Sequence, residues 1–243
     1  MSDWVTERRP DADLIDYVKC IWLADVGGEP KTLVPDACID LLWIDNGDTW
    51  LCGPETTAWT FSLTTGDTAV GIRFRPGAAP AALKLDADEI RNVRIPIDAL
   101  WGDRAARELS GRIYEANGQC ARVAVLGDAV RGRIADAQPI DPVAREVADR
   151  LSRLRPDPVR SLARDIGISE RQLHRRATAS FGYGPAVLAR ILRVQRVLAE
   201  ARSAGRPTGL AELAIVAGYS DQSHLNRDIR AIAGTTAGAL LAS

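Results

Sequence analysis

The hydrophobic pattern of this chain changes its period once, and that change limits what it can fold into. Up to about residue 138, short β-branched and aromatic runs are punctuated by Gly and Pro, the text of strands joined by turns. From Pro142 onward strand signals vanish and Ala, Leu, Arg and Glu dominate, as they do in helices. All six Trp and all four Cys lie in the front part. A sequence written in two such grammars predicts an α+β domain followed by an all-α domain.

The charge is divided at the same place. Residues 1–138 carry 15 Lys+Arg against 22 Asp+Glu, a net −7, whereas residues 139–243 carry 16 against 10, a net +6. A basic rear behind an acidic front predicts a polyanionic partner for the rear alone. The cysteines form no CxxC pair and no close framework, which argues against a disulfide scaffold or zinc knuckle and for a reducing cytoplasm. The N-terminus lacks an apolar signal region, and no apolar run approaches the ~18 residues of a membrane span, so neither export nor membrane insertion is expected.

In the front part, strands are predicted over Tyr17–Val26, Cys38–Ile44, Thr49–Cys52, Trp59–Thr64 and Ala69–Phe74, giving a small antiparallel sheet or barrel. Asp45-Asn46-Gly47-Asp48 predicts a tight hairpin, because Asn-Gly accepts positive φ. Helices follow over Ala79–Leu83, Ala87–Asn92, Asp103–Tyr114 and Arg122–Ala137. In the rear, a helix over Val143–Leu154 is stopped by Arg155-Pro156-Asp157-Pro158, and six further segments follow. The longest, Pro185–Ser203, has a helical apolar stripe with Arg190, Arg193 and Arg196 opposite, which read as a solvated face with some phosphate contact. The boundaries predicted are a regulatory domain over 1–118, a helical connector over 119–141 and a DNA-binding domain over 142–243.

Two stretches of the rear repeat one order: short helix, Gly, hydrophobic residue, Ser, second helix. In the first, Leu162-Ala163-Arg164-Asp165-Ile166 leads into Gly167-Ile168-Ser169 and Glu170–Arg176, with Ser169 and Gln172 spaced as a capping box. In the second, running from Thr208 to Ala233, Leu210–Ala217 leads into Gly218-Tyr219-Ser220 and Asp221–Arg227. Each predicts a helix-turn-helix, whose second helix can enter a major groove ~12 Å wide. Leu173 and Ala177 fall on the packing side of the first recognition helix, leaving Arg171, His174 and Arg175 outward. Leu225 and Ile229 do the same in the second, leaving Ser223, His224 and Arg227, with Gln222 and Asn226 able to reach phosphates or bases. The two histidines are the only ones in the chain, and their placement on separate helix surfaces favours DNA contact over metal or catalytic duty.

This arrangement resembles the DNA-binding domain of the AraC/XylS family of transcriptional regulators over roughly Pro142–Leu241, most specifically in Gly218–Asp228. The resemblance implies seven helices, two of which enter successive major grooves, with Arg171, His174, Arg175, Ser223, His224 and Arg227 at the reading positions. Two departures stand out. Ala177 replaces a large aromatic, and the proline expected after the closing glycine is missing from Gly234-Thr235-Thr236-Ala237-Gly238, which leaves the first unit looser and the final helix prone to fray. The partners implied are double-stranded DNA, a small-molecule effector, a second copy of the chain and, for an activator, RNA polymerase.

The front segments Leu33–Trp43, Cys52-Gly53-Pro54 and Gly71–Gly77 resemble an uncharacterised domain found ahead of AraC-type DNA-binding domains, which implies a sensor, a dimerisation unit or both. Trp22, Trp43, Trp50 and Trp59 can line an apolar pocket with Asp36, Cys38, Asp40, Arg73 and Arg75 as polar groups, or they can simply be core. Cys20, Cys38 and Cys52 can converge as metal or redox ligands, although buried free thiols are commoner. A cysteine-based alkyltransferase would need Cys38 activated, yet it is flanked by Asp36 and Asp40 and the front part has no histidine base. No cofactor, metal or catalytic role is predicted. The competing class is a ligand-binding or dimerisation protein whose helical half is an interaction bundle.

Overall fold

A computed structural model describes residues 5–25, 30–45, 47–62, 64, 66–153, 157–203 and 209–242. Asn46 of the expected hairpin, Leu154, Arg155 and Pro156 of the expected helix stop, and Thr208 at the start of the second repeat lie outside the described residues. Among the described residues no helix is long and apolar enough to cross a membrane.

Six antiparallel strands form an open sheet: β1 (Val5–Arg8), β2 (Val18–Asp25), β4 (Asp40–Ile44), β5 (Thr49–Cys52), β7 (Thr68–Phe74) and β8 (Arg94–Pro96), in the order β1-β2-β7-β4-β5-β8. β3 (Lys31–Leu33) and β6 (Trp59–Phe61) pair separately as a small ribbon. The β4–β5 hairpin is closed by Gly47, at φ +96°, whose N–H donates to the Ile44 carbonyl. Such a φ suits glycine because no Cβ is present to clash.

The sheet has two different faces because side chains alternate along each strand. One face presents Leu41, Trp43, Leu51, Val70, Ile72 and Phe74. It is covered by α1 (Ala79–Leu83), the 3₁₀ turn Ala87–Ile90, α2 (Ile97–Trp101), α3 (Asp103–Glu115) and α4 (Gln119–Ala135), whose Leu109, Ile113, Leu126 and Val130 complete that core. α4, over the predicted connector, thus packs as part of the front core. The opposite face carries Trp22, Ala24, Leu42, Cys52 and Ala69. Across it Cys20, Arg73, Asp40, Cys52 and Arg94 stand in register on neighbouring strands, a polar row amid apolar ones.

The rear is all helix: α5 (Pro142–Ser152), α6 (Val159–Ile166), α7 (Glu170–Phe181), α8 (Pro185–Ser203), α9 (Leu210–Val216), α10 (Gln222–Ala233) and α11 (Ala237–Ala242). α5, α6, α7, α9 and α10 all pack against α8, whose Leu188, Ile191, Val194 and Val197 are fully buried. Proline opens α5 and α8, where its missing N–H costs nothing. Asp141 caps α5 and also accepts from Arg176 of α7 at 2.8 Å. Ala177 is buried at the α7 packing face and Phe181, one turn on, fills the core beside it. α11 forms despite the missing proline, with Ala237 fully buried and the Thr236 hydroxyl accepting from the Ala239 N–H.

Two front segments reach into the rear. Val34 and Ala37 join the helical core, and Ala37 takes φ +65° to do so. The loop after β5 packs Pro54 against Gly182, at the end of α7. Gly53 in that loop is held by its N–H to Val93 O, and a Cβ there would lie 1.7 Å from the Ile90 carbonyl oxygen. Because the obstacle is backbone, Gly53→Ala is expected to cost about 3 kcal/mol or more by overpacking and strain, read as a lowered urea midpoint.

Candidate nucleic-acid interface and interdomain cavity

Both repeats are helix-turn-helix units. In the first, α6 ends on Gly167 at φ +80°, and Ser169 caps α7 while the Gln172 side chain accepts from the Ser169 N–H, a complete capping box. A cap of this kind contributes about 1 kcal/mol. In the second, α9 turns through Gly218 at φ +85°, and the cap of α10 is Asp221, which accepts from the His224 N–H at 2.7 Å. Ser220 precedes that cap and its hydroxyl donates to Asp221. Amide hydrogens hold the Asp221 carboxyl below the usual carboxylate range, the His224 N–H first among them.

The leading residues of the two recognition helices differ in how free they are. Arg171, His174 and Arg175 of α7 are exposed, and so are Gln222, Ser223 and Arg227 of α10. His174 lies over Gly184, where a Cβ would meet its Nε2 at 2.7 Å. Asn226 and His224 are half-buried. His224 packs edge-on to Tyr219, with ring centroids 5.1 Å apart, and its Nε2 lies 3.4 Å from Arg193 and 3.8 Å from Asp228.

Asp228 organises this corner. It is 5% exposed, yet its carboxylate meets Arg190 Nε at 3.0 Å and Arg193 Nη1 at 3.7 Å, both from α8. A charge on the buried stripe Leu225, Asp228, Ile229, Ile232 has to be paired or it would cost several kcal/mol. The arginine row of α8 is therefore not the solvated face its pattern suggested. Arg190 and Arg193 fix α10, and Arg193 also stacks on Tyr219. Arg196 donates to Ala217 O at 3.1 Å, Leu151 O at 3.2 Å and Arg153 O at 2.7 Å, tying the ends of α5 and α9, where helix dipoles favour a cation. The signal for Asp228 was present as a carboxylate among apolar residues at helical spacing.

A cavity of about 440 Å³ lies between the polar face of the sheet and α8. Of the nine residues considered for a ligand pocket, Trp22, Asp36, Cys38, Asp40, Trp59 and Arg73 line it together. Trp43 instead points into the core on the other face and is fully buried. Trp50 stands beside Pro96 in a separate cleft of about 220 Å³. Arg75 donates to Ile15 O at 2.6 Å, away from the cavity. The wall also contains Glu7, Glu55, Phe61, Gln195, Leu198 and Arg202. Gln195, Leu198 and Arg202 come from α8, and no local pattern in the sequence announces a contact between segments so far apart.

The cavity floor is ionic. Arg73 makes a two-pronged pair with Asp40, Nε to Oδ1 at 3.0 Å and Nη2 to Oδ2 at 3.2 Å, while its Nη1 lies 3.4 Å from Asp36 and 3.8 Å from Glu7. Lys19 approaches Asp36 at 3.7 Å, and the Trp22 indole N–H donates to Asp40 at 2.8 Å. Burial works against Asp36, yet Arg73 and Lys19 outweigh it and hold its carboxyl low. At Asp40 burial prevails over Arg73 and the carboxyl is pushed up, with Asp36 adding to the effect. At the side wall Glu55 pairs with Arg94 at 2.6 Å, and Arg94 lies over the Trp59 ring at 3.7 Å.

The front cysteines do not gather as a metal site: among the described residues no group of three or more His, Cys, Asp or Glu is placed to hold an ion. Cys38 and Cys52 line the cavity. Burial pushes the Cys20 thiol up to about 11 and Cys52 to about 12, and Cys38 rises through burial and then Asp36. Burial thus favours the neutral thiol at all three positions, which weakens each as a nucleophile.

Residues 162–243 match the family described as a helix-turn-helix domain, and residues 6–96 match a domain of unknown function, DUF6597. With two capped recognition helices already located, this fixes the class as a helix-turn-helix DNA-binding protein. More narrowly, the rear domain is of the AraC/XylS type, and the chain is a DNA-binding regulator of transcription with DUF6597 at its front. No curated protein matches it. Among solved structures, an apo variant of ToxT from Vibrio cholerae strain SCE256 is 11% identical, with 96% of this chain and 98% of that one covered at a TM-score of 0.48. ToxT of Vibrio cholerae O395 bound to (E)-4-(8-methylnaphthalen-1-yl)but-3-enoic acid is 10% identical, with 98% of both chains covered at 0.47. Wild-type ToxT of strain SCE256 with an unsaturated fatty acid is 10% identical, with 96% of both covered at 0.47.

Asp228→Asn tests the corner that fixes α10. Removing one partner of a buried pair costs 3–5 kcal/mol, and Arg190 at 43% and Arg193 at 22% side-chain exposure recover part of that by solvation. About 2 kcal/mol is expected, measured by urea denaturation; a stability within 0.5 kcal/mol of the parent chain contradicts the assigned role.

Proposed function

We propose that α7 and α10 read successive major grooves on one face of a duplex. Arg171, His174 and Arg175 act in the first groove, and Gln222, Ser223, Asn226 and Arg227 in the second. The observation that carries this reading is the pair of capped helices, both seated on α8, with their leading basic residues exposed. His224 acts mainly by positioning, since Tyr219, Arg193 and Asp228 hold its ring. The division into a regulatory unit over 1–118 with the 119–141 helix and a DNA-binding unit over 142–243 belongs to the same proposal. So do pairing of two copies on a repeated site, contact with RNA polymerase if the chain activates, and a cytoplasmic location.

In this reading a small molecule in the cavity modulates DNA binding, because the cavity walls are also the clamps on the rear domain. The Gln195 side chain donates from α8 to Val34 O at 3.2 Å and Pro35 O at 2.8 Å, beside wall residue Asp36. The loop carrying Gly53 and Glu55 continues to Ala58, whose N–H donates to Ile232 O in α10 at 2.6 Å. Arg91 donates to Gly182 O at the end of α7 at 3.1 Å. An occupant that displaces either wall segment shifts the seating of the recognition helices.

Selection of bound fragments from random genomic DNA is expected to enrich one defined sequence. Arg227→Ala is expected to relax the preference at one base pair by about 1–3 kcal/mol, with little change elsewhere in the site. Uniform weakening over all sequences would move Arg227 to a phosphate. Gln195→Met, which keeps the volume but removes both donated bonds, is expected to change DNA affinity severalfold while the front-domain melting transition stays in place. An unchanged affinity would remove Gln195 from the coupling.

A further inference from the structure

The charge and ring content of the interdomain cavity select the kind of molecule it takes. Three carboxylates converge on its floor, from Glu7, Asp36 and Asp40, and among the described residues two cations, Arg73 and Lys19, answer them. All three nitrogens of Arg73 face these carboxylates, so none is left to greet an anion. The fourth carboxylate of the wall, Glu55, is matched by Arg94, which is itself occupied on the Trp59 ring. Arg202, the remaining cation of the wall, is exposed and sits on the last turn of α8.

The apolar part of the wall is aromatic. Trp22 packs over Gly71, where a Cβ would clash with the indole, so the glycine is what leaves room for the ring. Trp59 and Phe61 stand edge to face, with centroids 5.8 Å apart. Ring faces attract cations through their quadrupole, more strongly as water is excluded. Arg94 already shows the Trp59 ring in that role. An anion entering the same space would lose its water to face an unneutralised carboxylate. A cation would exchange its water for rings and supply the charge the floor lacks.

We propose that the cavity between the sheet and α8 binds an organic cation with an apolar or planar body, an amine or quaternary ammonium, with its charge toward Asp36 and Asp40 and its body among Trp22, Trp59 and Phe61. This rests on reading the cavity as an effector site. Burial first, and then Asp36, pushes the Asp40 carboxyl up against the pull of Arg73, and a cation bound beside it would hold it ionised. At about 440 Å³ the cavity falls in the range of small-molecule sites.

A matched pair of probes tests it on the full chain: (4-phenylbutyl)trimethylammonium and 5-phenylvalerate, alike in body and opposite in charge, titrated by calorimetry and tryptophan fluorescence. The cation is expected to bind at least tenfold tighter than the carboxylate. Trp59→Leu is expected to weaken the cation about tenfold. Glu7→Gln, on an edge strand and half exposed, is expected to reduce the preference for the cation severalfold without disturbing the fold. Equal or tighter binding of 5-phenylvalerate overturns the cation assignment and leaves the effector site standing. Cation binding that neither variant changes places the probe elsewhere and also overturns it. Binding of neither probe overturns it too, and the effector site is then decided separately by whether any small molecule co-purifies with the full chain.

Discussion

A six-stranded sheet with two buried faces needs two covers, and this chain provides them from different halves. One face is apolar along its central strands β2, β4 and β7 and is closed by the helices that immediately follow it. The other face carries the row Cys20, Arg73, Asp40, Cys52, Arg94 and cannot be sealed by hydrocarbon alone, since an ion pair stripped of water must keep its partners. The helical half closes that face only partly, docking on the front loops at Val34, Ala37, Pro54 and Ala58. The space left over the charged row is the cavity. Position of the second helices of the two helix-turn-helix units and shape of the cavity follow from the same docking.

The rear domain uses its arginines in a way that separates structure from recognition. Arg190, Arg193 and Arg196 of α8 are paired to Asp228 and to helix-end carbonyls, whereas those at the start of α7 and at Arg227 remain in water. Both sets contribute equally to the net charge that marks this half as a polyanion binder. The outward set can trade its hydration for a phosphate or base, whereas the other set already spends its donors on Asp228 and helix-end carbonyls. A charge count thus identifies the surface correctly as basic but overstates how many cations DNA can meet.

Much of the architecture was legible because it depends on local period. β5, α1 and α8 fall on their predicted residues, and β2, β4, β7, α3, α5 and the turn glycines lie within a few residues of expectation. β1, β3, β8 and α2 were missed. Each is five residues or fewer, too short for a periodic signal, and the three strands depend on hydrogen bonds to partners distant in sequence. The pocket was half legible. Trp22, Asp36, Cys38, Asp40, Trp59 and Arg73 do converge, but Trp43 alternates to the opposite face of its strand.

The sequence by itself determined the two classes of fold, the doubled helix-turn-helix with the capping box of its first unit, and the division of charge, because each is set by neighbours within a turn or two. Only the tertiary structure decided which arginines are spoken for, which tryptophans share a wall, and that α8 completes the cavity. Those outcomes depend on which side of one element faces another hundreds of atoms away along the chain, and neither propensity nor spacing encodes the docking of two independently patterned halves.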